Sequence, residues 1–323
     1  MSLEQQVASV LMLHYPGTDA AAIAGFVQQI QPGGLILMGD NVPYDETELA
    51  ASIASWDAVA TAPLFVGIDE EGGTVSRLAL DTYPAAPDLR DGDPAATETA
   101  FRERGELLKS LGINTNFGVI ADVTADSYSF IWPRVLGSTP AVAADQVAAA
   151  VRGEQGLVNT TLKHFPGHGL SEADSHISIP SSDVTYNEWQ EVAAPPFESG
   201  IAAGAEMVMV GHLLFPQIAS EPASLSPRWH EILREDLGFN GIIVTDAMEM
   251  LQGSELPEYA DPIANAVQTL NAGSTLVLTA SGTGVEEAQQ LVNGIADAVR
   301  SGQLAPETLK AAGLKLLEAR LGL

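Results

Sequence analysis

The sequence predicts an α/β fold of the (β/α)8 TIM-type barrel class, built as a single domain over residues 1–323. Short apolar, β-branched runs recur along the chain, and a polar cluster and then an amphipathic helical pattern follow each of them. The runs are continuously apolar rather than alternating, which is typical of parallel strands covered on both faces. Eight such βα alternations are typical of a barrel. A doubly wound open sheet is the structural alternative.

The predicted elements alternate regularly along the chain. Strands are predicted at 10–14, 35–38, 64–69, 113–117, 160–163, 207–212, 242–246 and 275–279. Helices are predicted between them at 19–30, 48–56, 96–111, 141–155, 187–203, 227–237 and 257–272, and helices at 285–300 and 305–321 complete the outer ring. Because the chain shows no internal repeat, low-complexity tract or linker, we expect one domain.

The charge balance excludes several classes of partner. Hydrophobic residues make up 46% of the chain and charged residues 17%, which indicates a globular domain with a sizeable core. The 14 Lys and Arg residues stand against 42 Asp and Glu residues, a formal net charge of −28. A field of this sign repels phosphate backbones and anionic lipid surfaces, so we expect neither nucleic acid nor membrane partners. Oligomeric state is left open.

The absence of cysteine excludes disulfides, thiolate metal sites and cysteine nucleophiles. The N-terminal sequence MSLEQQVASVLMLHYPG has no basic region and carries Glu4 early, so it does not predict a signal peptide. The apolar runs are too short to span a bilayer. We therefore expect a cytoplasmic protein with no membrane insertion. A secreted or lipid-anchored parent protein stays open as the alternative.

Polar residues stand at the ends of five predicted strands, where an apolar run would otherwise continue. In a barrel these ends lie on one face, where active sites of this architecture are assembled. Burying such groups without partners is costly, so a shared polar pocket is the simpler explanation. The residues are Asp69, Asn116, Lys163 with His164, His212 and Asp246.

Asp246 follows an apolar strand in the segment GIIVTDAMEM and precedes two apolar residues. A carboxylate in this place is partly desolvated and fixed in position, as a nucleophile requires. The alternative is a helix N-cap, because Asp is common at strand-to-helix turns. The segment by itself does not decide between them.

The segment at 67–78, GIDEEGGTVSRL, predicts a sugar-binding turn. Asp69 can hold two vicinal hydroxyls through its two oxygens, and Arg77 can brace it. For Glu70 and Glu71 we expect that at least one belongs to a solvated turn. The glycines do not form a phosphate loop, because no GK[ST] follows and the acidic residues repel phosphate.

Residues 161–180, TLKHFPGHGLSEADSHISIP, concentrate titratable groups in one stretch. Within it, Asp174 stands two residues before His176. A carboxylate in that position can orient an imidazole, and histidine has the unperturbed pKa nearest neutrality. The arrangement suits proton transfer, although buried polar clusters also have this composition.

The positions of the other histidines, and of Lys163 beside His164, predict different roles for each. Lys163 and His164 are adjacent, so only a local twist or bulge lets both reach a ligand. A helical metal site with His164 and His168 is disfavoured, because Pro166 and Gly167 stand between them. We interpret His168 as scaffold for the turn. His212 can line the pocket, and His230 is expected on a helix surface.

Several motifs together resemble glycoside hydrolase family 3, in particular its single-domain bacterial β-N-acetylhexosaminidase branch. They are GIDxEGGxVxRL, KHFPGHG followed by DSHxxxP, and LSPxWxxxLRxxLGFxGxxxTDAMxM, in the order typical of the family. The similarity extends from Gln31 to about Met250. The Asp-Ser-His triplet favours this branch over the two-domain β-glucosidases, whose acid/base carboxylate comes from a second domain.

The resemblance implies a role for each matching residue. The family nucleophile corresponds to Asp246, and the family acid/base corresponds to His176, paired with Asp174. The sugar-binding side chains correspond to Asp69, Arg77, Arg134, Lys163 and His164.

The chain also departs from the family pattern. Arg134 stands in RVLG where RSFG is usual, Thr74 replaces a common Arg, and Leu170-Ser171 replace the usual Asp-Thr. These departures bear on the hydrogen bonds of the two loops.

The implied reaction is retaining exo-cleavage of terminal GlcNAc from peptidoglycan fragments or chito-oligosaccharides, with neither metal nor cofactor. A neutral histidine acid/base leaves one negative charge fewer than a carboxylate would. An anionic acceptor could therefore approach, which makes a phosphorylase or transglycosidase with the same residues the main alternative. A metal-dependent barrel hydrolase would lose activity with a chelator. A non-catalytic sugar-binding barrel would bind without turnover.

Overall fold

The computed structural model describes residues 1–171, 173, 175 and 177–323, and it confirms the predicted barrel class. Within these residues, eight parallel strands follow the order β7-β6-β5-β4-β3-β2-β1-β8. An isolated parallel bridge between Val244 and Leu276 joins the two ends of this order, which excludes the open sheet. The strands are β1 Leu11–Leu13, β2 Gly34–Leu37, β3 Phe65–Ile68, β4 Thr115–Ile120, β5 Asn159–Phe165, β6 Met207–Val210, β7 Ile242–Thr245 and β8 Val277–Thr279.

Helices surround the barrel and cover the outer faces of its strands. They are α1 Leu3–Ala8, α2 Ala20–Ile30, α3 Leu49–Asp57, α4 Ala86–Leu89, α5 Pro94–Ser110, α6 Pro140–Glu154, α7 Tyr186–Val192, α8 Ala194–Ala203, α9 Pro227–Glu231, α10 Glu249–Gly253, α11 Pro262–Ala272, α12 Val285–Arg300 and α13 Pro306–Arg320. In the part of the chain described, none of the helices combines the length and the apolarity that crossing a membrane requires.

The boundaries differ from the prediction in ways that matter for the site. β4 continues to Ile120 and β5 to Phe165, beyond their predicted ends at 117 and 163. The helix predicted at 187–203 is divided at Ala193, because Pro195 and Pro196 fit only the first turn of a helix, where no N–H bond is lost.

An aromatic cluster anchors the end of β5. The ring of Phe165 packs edge-on against Trp189, Phe197 and Trp229, with centroids 6.0, 5.3 and 5.7 Å away. All four side chains are fully buried. Buried aromatic pairs of this geometry add roughly 0.5–1.5 kcal/mol each beyond their area burial. The cluster therefore fixes the strand immediately after Lys163 and His164.

Candidate active site

A cavity of about 300 Å³ opens at the carboxyl ends of the strands. Ser175 contributes to its wall, whereas the predicted acid/base residues Asp174 and His176 lie outside the described residues. The other predicted site residues all line this cavity: Asp69, Arg77, Arg134, Lys163, His164 and Asp246.

Lys163 and His164 both line the cavity although they are consecutive in β5. The pairing of β5 with β6 shifts register between Leu162 and Phe165. Side chains of a regular strand alternate between faces, so two consecutive residues reach one ligand only where the strand is distorted. The register shift is the local distortion that was predicted.

Four charged side chains, Asp69, Glu71, Arg134 and Lys163, form one ion-pair network that we call the charged cluster. The Lys163 Nζ lies 2.7 Å from Asp69 Oδ1 and 2.7 Å from Glu71 Oε1. The Arg134 guanidinium donates two bonds to Glu71, with Nε–Oε2 at 2.9 Å and Nη2–Oε1 at 2.7 Å. Arg77 is more distant, with its Nη2 3.7 Å from Asp69 Oδ2. The cluster joins residues after β3 and β4 to the end of β5.

Glu71 is the centre of the charged cluster, a role that the sequence did not reveal. Burial by itself raises its pKa, but Lys163 and Arg134 outweigh burial and hold the pKa at about 2. Conversely, the pKa of Lys163 is raised, because Asp69 and Glu71 outweigh its burial. The expectation that Glu70 or Glu71 belongs to a solvated turn is wrong, since both are buried. The sequence feature that could have indicated the role of Glu71 is its position two residues after Asp69, at the same strand end.

Glu70 is absent from the cavity wall, and its carboxyl group lies beside another acid, Asp81. Its Oε2 accepts bonds from the backbone N–H groups of Arg77 at 2.8 Å and Leu78 at 3.2 Å. Burial raises the pKa of Glu70 to about 8 and that of Glu154 to about 7. Asn116 donates to Glu154 Oε1 at 2.6 Å and to the carbonyl of Glu70 at 3.0 Å. Asn116 therefore does not join the pocket as predicted, because β4 continues past it.

Asp122 is a site residue that the sequence analysis missed. It follows the true end of β4, and its Oδ2 lies 2.7 Å from His164 Nδ1. Arg134 Nη2 lies 3.1 Å from His164 Nε2, which fixes Nδ1–H as the donor to Asp122. Burial raises the pKa of Asp122, but His164 outweighs it and the net shift is downward. Because the predicted strand ended at Phe117, Asp122 was not recognised as a residue at a strand end.

Asp246 lies half-buried in the cavity wall after β7. It is not the N-cap of α10, because that position belongs to Met248. The Asp246 Oδ1 accepts the backbone N–H of Ala247 at 2.8 Å. Burial raises the pKa of Asp246, but the nearby His164 and His212 outweigh it, so the net shift is downward. The carboxylate is thus held ionised and aimed at the cavity.

His212 and His230 are buried away from the cavity wall. His212 lies behind Asp246, and its Nδ1 is 2.6 Å from Ser224 Oγ. His230 is buried in α9, with Nε2 2.8 Å from Ser274 Oγ. The expectations that His212 lines the pocket and that His230 lies on a helix surface are therefore wrong. Both rings find hydroxyl partners, which makes their burial acceptable.

Outside the charged cluster, much of the cavity wall is apolar. Glu249 holds the loop that follows β8 in this wall, because its Oε1 accepts hydrogen bonds from the backbone N–H groups of Ala280, at 2.5 Å, and of Ser281. Glu249 and Ser281 also line a second cavity of about 290 Å³ behind the loop that follows β8. The apolar residues are Ile36, Met38, Met209, Met250 and Leu278.

The site combines an ionised carboxylate with polar groups that are already charge-paired. Paired ions offer hydrogen-bond donors and acceptors with little net charge, which suits an uncharged, hydroxyl-rich ligand. Among the described residues, no group of three or more His, Cys, Asp or Glu is arranged to hold a metal ion. A barrel with such a cavity at the carboxyl ends of its strands belongs to the class of (β/α)8-barrel enzymes, whose active sites lie at this face.

The family is shown by comparison with known proteins. The model described as "Glycosyl hydrolase family 3 N terminal domain" matches residues 2–319. The chain therefore belongs to glycosyl hydrolase family 3 and is a glycoside hydrolase, which confirms the resemblance seen in its motifs.

Individual relatives support the same assignment. A beta-hexosaminidase of Stenotrophomonas maltophilia strain K279a is 33% identical over 301 residues, 88% of this chain and 87% of the relative. The structure of a beta-N-acetylhexosaminidase from Beutenbergia cavernae covers 100% of this chain and 99% of its own, with 26% identity and a TM-score of 0.86. A family 3 beta-N-acetylglucosaminidase from Paenibacillus sp. FPU-7 has 30% identity and a TM-score of 0.91. This chain spans 63% of that protein.

Proposed function

We propose that residues 1–323 form one catalytic domain, a retaining exo-β-N-acetylglucosaminidase that releases terminal GlcNAc from peptidoglycan fragments or chito-oligosaccharides. The observation that carries the proposal is the position of Asp246 in a small cavity that residues of the charged cluster also line. The cavity volume of about 300 Å³ suits one sugar ring rather than an extended chain. The names of the relatives support N-acetylhexosamine as that sugar.

In the proposed mechanism Asp246 attacks C1 of the sugar and forms a covalent glycosyl ester through an oxocarbenium-like transition state. Protonated His176 gives its proton to the departing glycosidic oxygen, and Asp174 stabilises the imidazolium. Neutral His176 then takes a proton from water, which attacks C1 and releases Asp246. The ionised state of Asp246 supports its part in this sequence.

The charged cluster would hold the hydroxyl groups of the sugar. Asp69 offers acceptors, and Lys163, Arg77 and Arg134 offer donors, with His164 beside them. Since these groups are positioned by one another before a ligand binds, little conformational entropy is lost on binding.

Water is the acceptor that we propose. Glu249 remains in the cavity wall after Asp246 has been esterified, and a carboxylate there opposes an anionic acceptor such as phosphate. Running the reaction in phosphate tests this point. The expected product is free GlcNAc alone, and formation of GlcNAc-1-phosphate, detected by NMR, would favour the phosphorylase.

Two variants test the proposed chemistry. Asp246→Asn is expected to lower kcat at least about 1000-fold, as removal of a nucleophile does, while thermal unfolding stays close to that of the wild type. His176→Ala is expected to lose more activity on glycosides with poor leaving groups than on activated aryl glycosides, because only the former need a proton donor. Equal losses on both substrates would remove His176 from the acid role.

A further inference from the structure

His168 stands in the segment that follows β5 and has no part in the proposed chemistry. Its side chain is buried, and its Nε2 lies 3.0 Å from Ser175 Oγ. Ser175 is itself buried and lines the cavity. In the sequence it stands directly between Asp174 and His176. His168 therefore contacts the centre of the Asp-Ser-His triplet.

Asp122 connects this contact to the sugar-binding side of the cavity. One of its oxygens bonds to the His164 ring at 2.7 Å, and the other accepts the backbone N–H of His168 at 2.5 Å. The ring of Phe130 packs edge-on against His168, with centroids 4.5 Å apart. A single buried carboxylate thus sets the distance between a sugar-binding histidine and the histidine that holds Ser175.

The contact between His168 and Ser175 is stable over a wide pH range. Burial, reinforced by the nearby His164, lowers the pKa of His168 to about 4. The His168 Nδ1 has no hydrogen-bond partner among the described residues, so a second ring proton would be buried unpaired. The ring is therefore neutral at the pH values where a histidine acid/base operates.

We propose that His168 is a positioning residue for the acid/base step, which it serves by holding Ser175, the residue that stands between Asp174 and His176 in the sequence. This inference rests on the roles proposed for Asp174 and His176. A merely structural histidine would affect stability and all substrates alike. A positioning residue affects the reactions that depend on proton donation.

The experiment compares two substrates that differ only in the leaving group, an activated nitrophenyl β-GlcNAc glycoside and an alkyl β-GlcNAc glycoside. His168→Asn places its amide near the Nδ1 position and cannot reach Ser175, whereas His168→Gln restores a polar atom near Nε2. We expect His168→Asn and Ser175→Ala to lower kcat about 10- to 100-fold on the alkyl glycoside and only a few-fold on the nitrophenyl glycoside. His168→Gln should recover much of the loss, with inhibition by free GlcNAc unchanged.

His230→Asn is the matched control, because His230 is another buried histidine whose Nε2 contacts a serine hydroxyl, at 2.8 Å, away from the cavity. It should lower the melting temperature comparably without a leaving-group effect. In the His176→Ala background, His168→Asn should cause no further loss on the alkyl glycoside, since both act on one step.

The outcomes separate the inference from the proposed function. If His176→Ala is selective for the leaving group while Ser175→Ala and His168→Asn are not, the positioning role is refuted and the acid role stands. Additive losses in the double variant would also refute it. If His176→Ala itself shows no selectivity, the proposed acid role fails, and the inference fails with it. Ser175→Ala keeps the test decisive should His168→Asn not fold.

Discussion

Glu70 and Glu71 are adjacent in the chain, yet their side chains enter regions of opposite electrostatic character. Glu71 lies in the charged cluster, between Lys163 and Arg134, and its pKa is held at about 2. Glu70 lies beside another acid, Asp81, and burial raises its pKa to about 8. In that second region Arg104 is already engaged by Asp81, with Nε and Oδ2 2.5 Å apart.

The difference shows that burial alone does not set the state of a carboxylate. Both side chains are removed from water, which raises the pKa in each case. Only Glu71 has cations that outweigh this effect. The fold therefore keeps an ionised acid where the sugar is proposed to bind and a protonated acid a single residue away.

The largest effect expected from this comparison is that of Glu71→Gln. Removing the shared carboxylate leaves Arg134 and Lys163 buried with one partner fewer, and loss of a buried ion-pair partner costs about 3–5 kcal/mol. Urea unfolding at neutral pH measures this change. Glu98→Gln is the matched control, because Glu98 pairs with Arg152 at 3.0 Å on the surface, where a pair contributes about 0–1 kcal/mol. Equal costs for the two variants would mean that the charged cluster has no special stability.

An intermediate effect is expected for Arg90→Met, which tests how Arg134 is positioned. The Arg90 guanidinium lies 3.7 Å above the Trp132 ring and donates to the carbonyl groups of Trp132 at 2.5 Å and Val135 at 3.1 Å. These contacts brace the short turn that carries Arg134. Losing them should raise KM about 10-fold at nearly constant kcat, equivalent to about 1.4 kcal/mol. A change in kcat alone would show that the brace serves another purpose.

The smallest effect is expected for Glu70→Gln, and its sign is opposite to that of Glu71→Gln. The pKa of Glu70 is raised from 4.5 to about 8 in the folded state, so its contribution is fully present below pH 4.5 and declines as the pH rises to 8. The neutral amide should therefore become more stable relative to the wild type across this window, by about 1 kcal/mol or less at neutral pH after loss of hydrogen bonds is included. Urea unfolding from pH 4 to 9 measures the difference. A difference that is constant with pH would mean that the pKa of Glu70 is the same in the folded and unfolded states.

For Glu71 the same reasoning predicts the opposite dependence of stability on pH. Its pKa is lowered, so its stabilisation is present above its ordinary pKa of 4.5 and is lost as the pH falls towards 2. The free energies of unfolding of the wild type and Glu71→Gln should therefore converge in acid and diverge towards neutral pH.

The sequence predicted the barrel and most of its cavity, because both depend on local patterns. A continuous apolar run identifies a strand, and the polar residue that follows it stands on the carboxyl face. This reasoning brought Asp69, Lys163, His164 and Asp246 to one cavity, where the structure also places them. Arg134 could not be found in this way, because it lies on a turn well beyond β4, and only the motif resemblance identified it.

What the sequence did not predict depends on boundaries and on long-range partners. The polar side chain of Asn116 interrupts the apolar run, so β4 was predicted to end at Phe117. Asn116 was therefore predicted as the polar residue at the strand end in place of Asp122. The burial of Glu71 depends on cations far along the chain, and no local pattern reports them. His230 has its serine partner 44 residues away, so its helix alone suggested a surface position.

The loop after β8 also bears on how the sugar specificity of this enzyme can change in evolution. Ser281 and Glu249 separate the candidate active-site cavity from a second cavity of about 290 Å³. A wall with free space behind it can be displaced or enlarged by substitution without disturbing the barrel core, whereas the charged cluster is fixed by buried ion pairs. Selection for a new sugar substituent would therefore act on this partition first, while the proposed nucleophile and the charged cluster stay as they are.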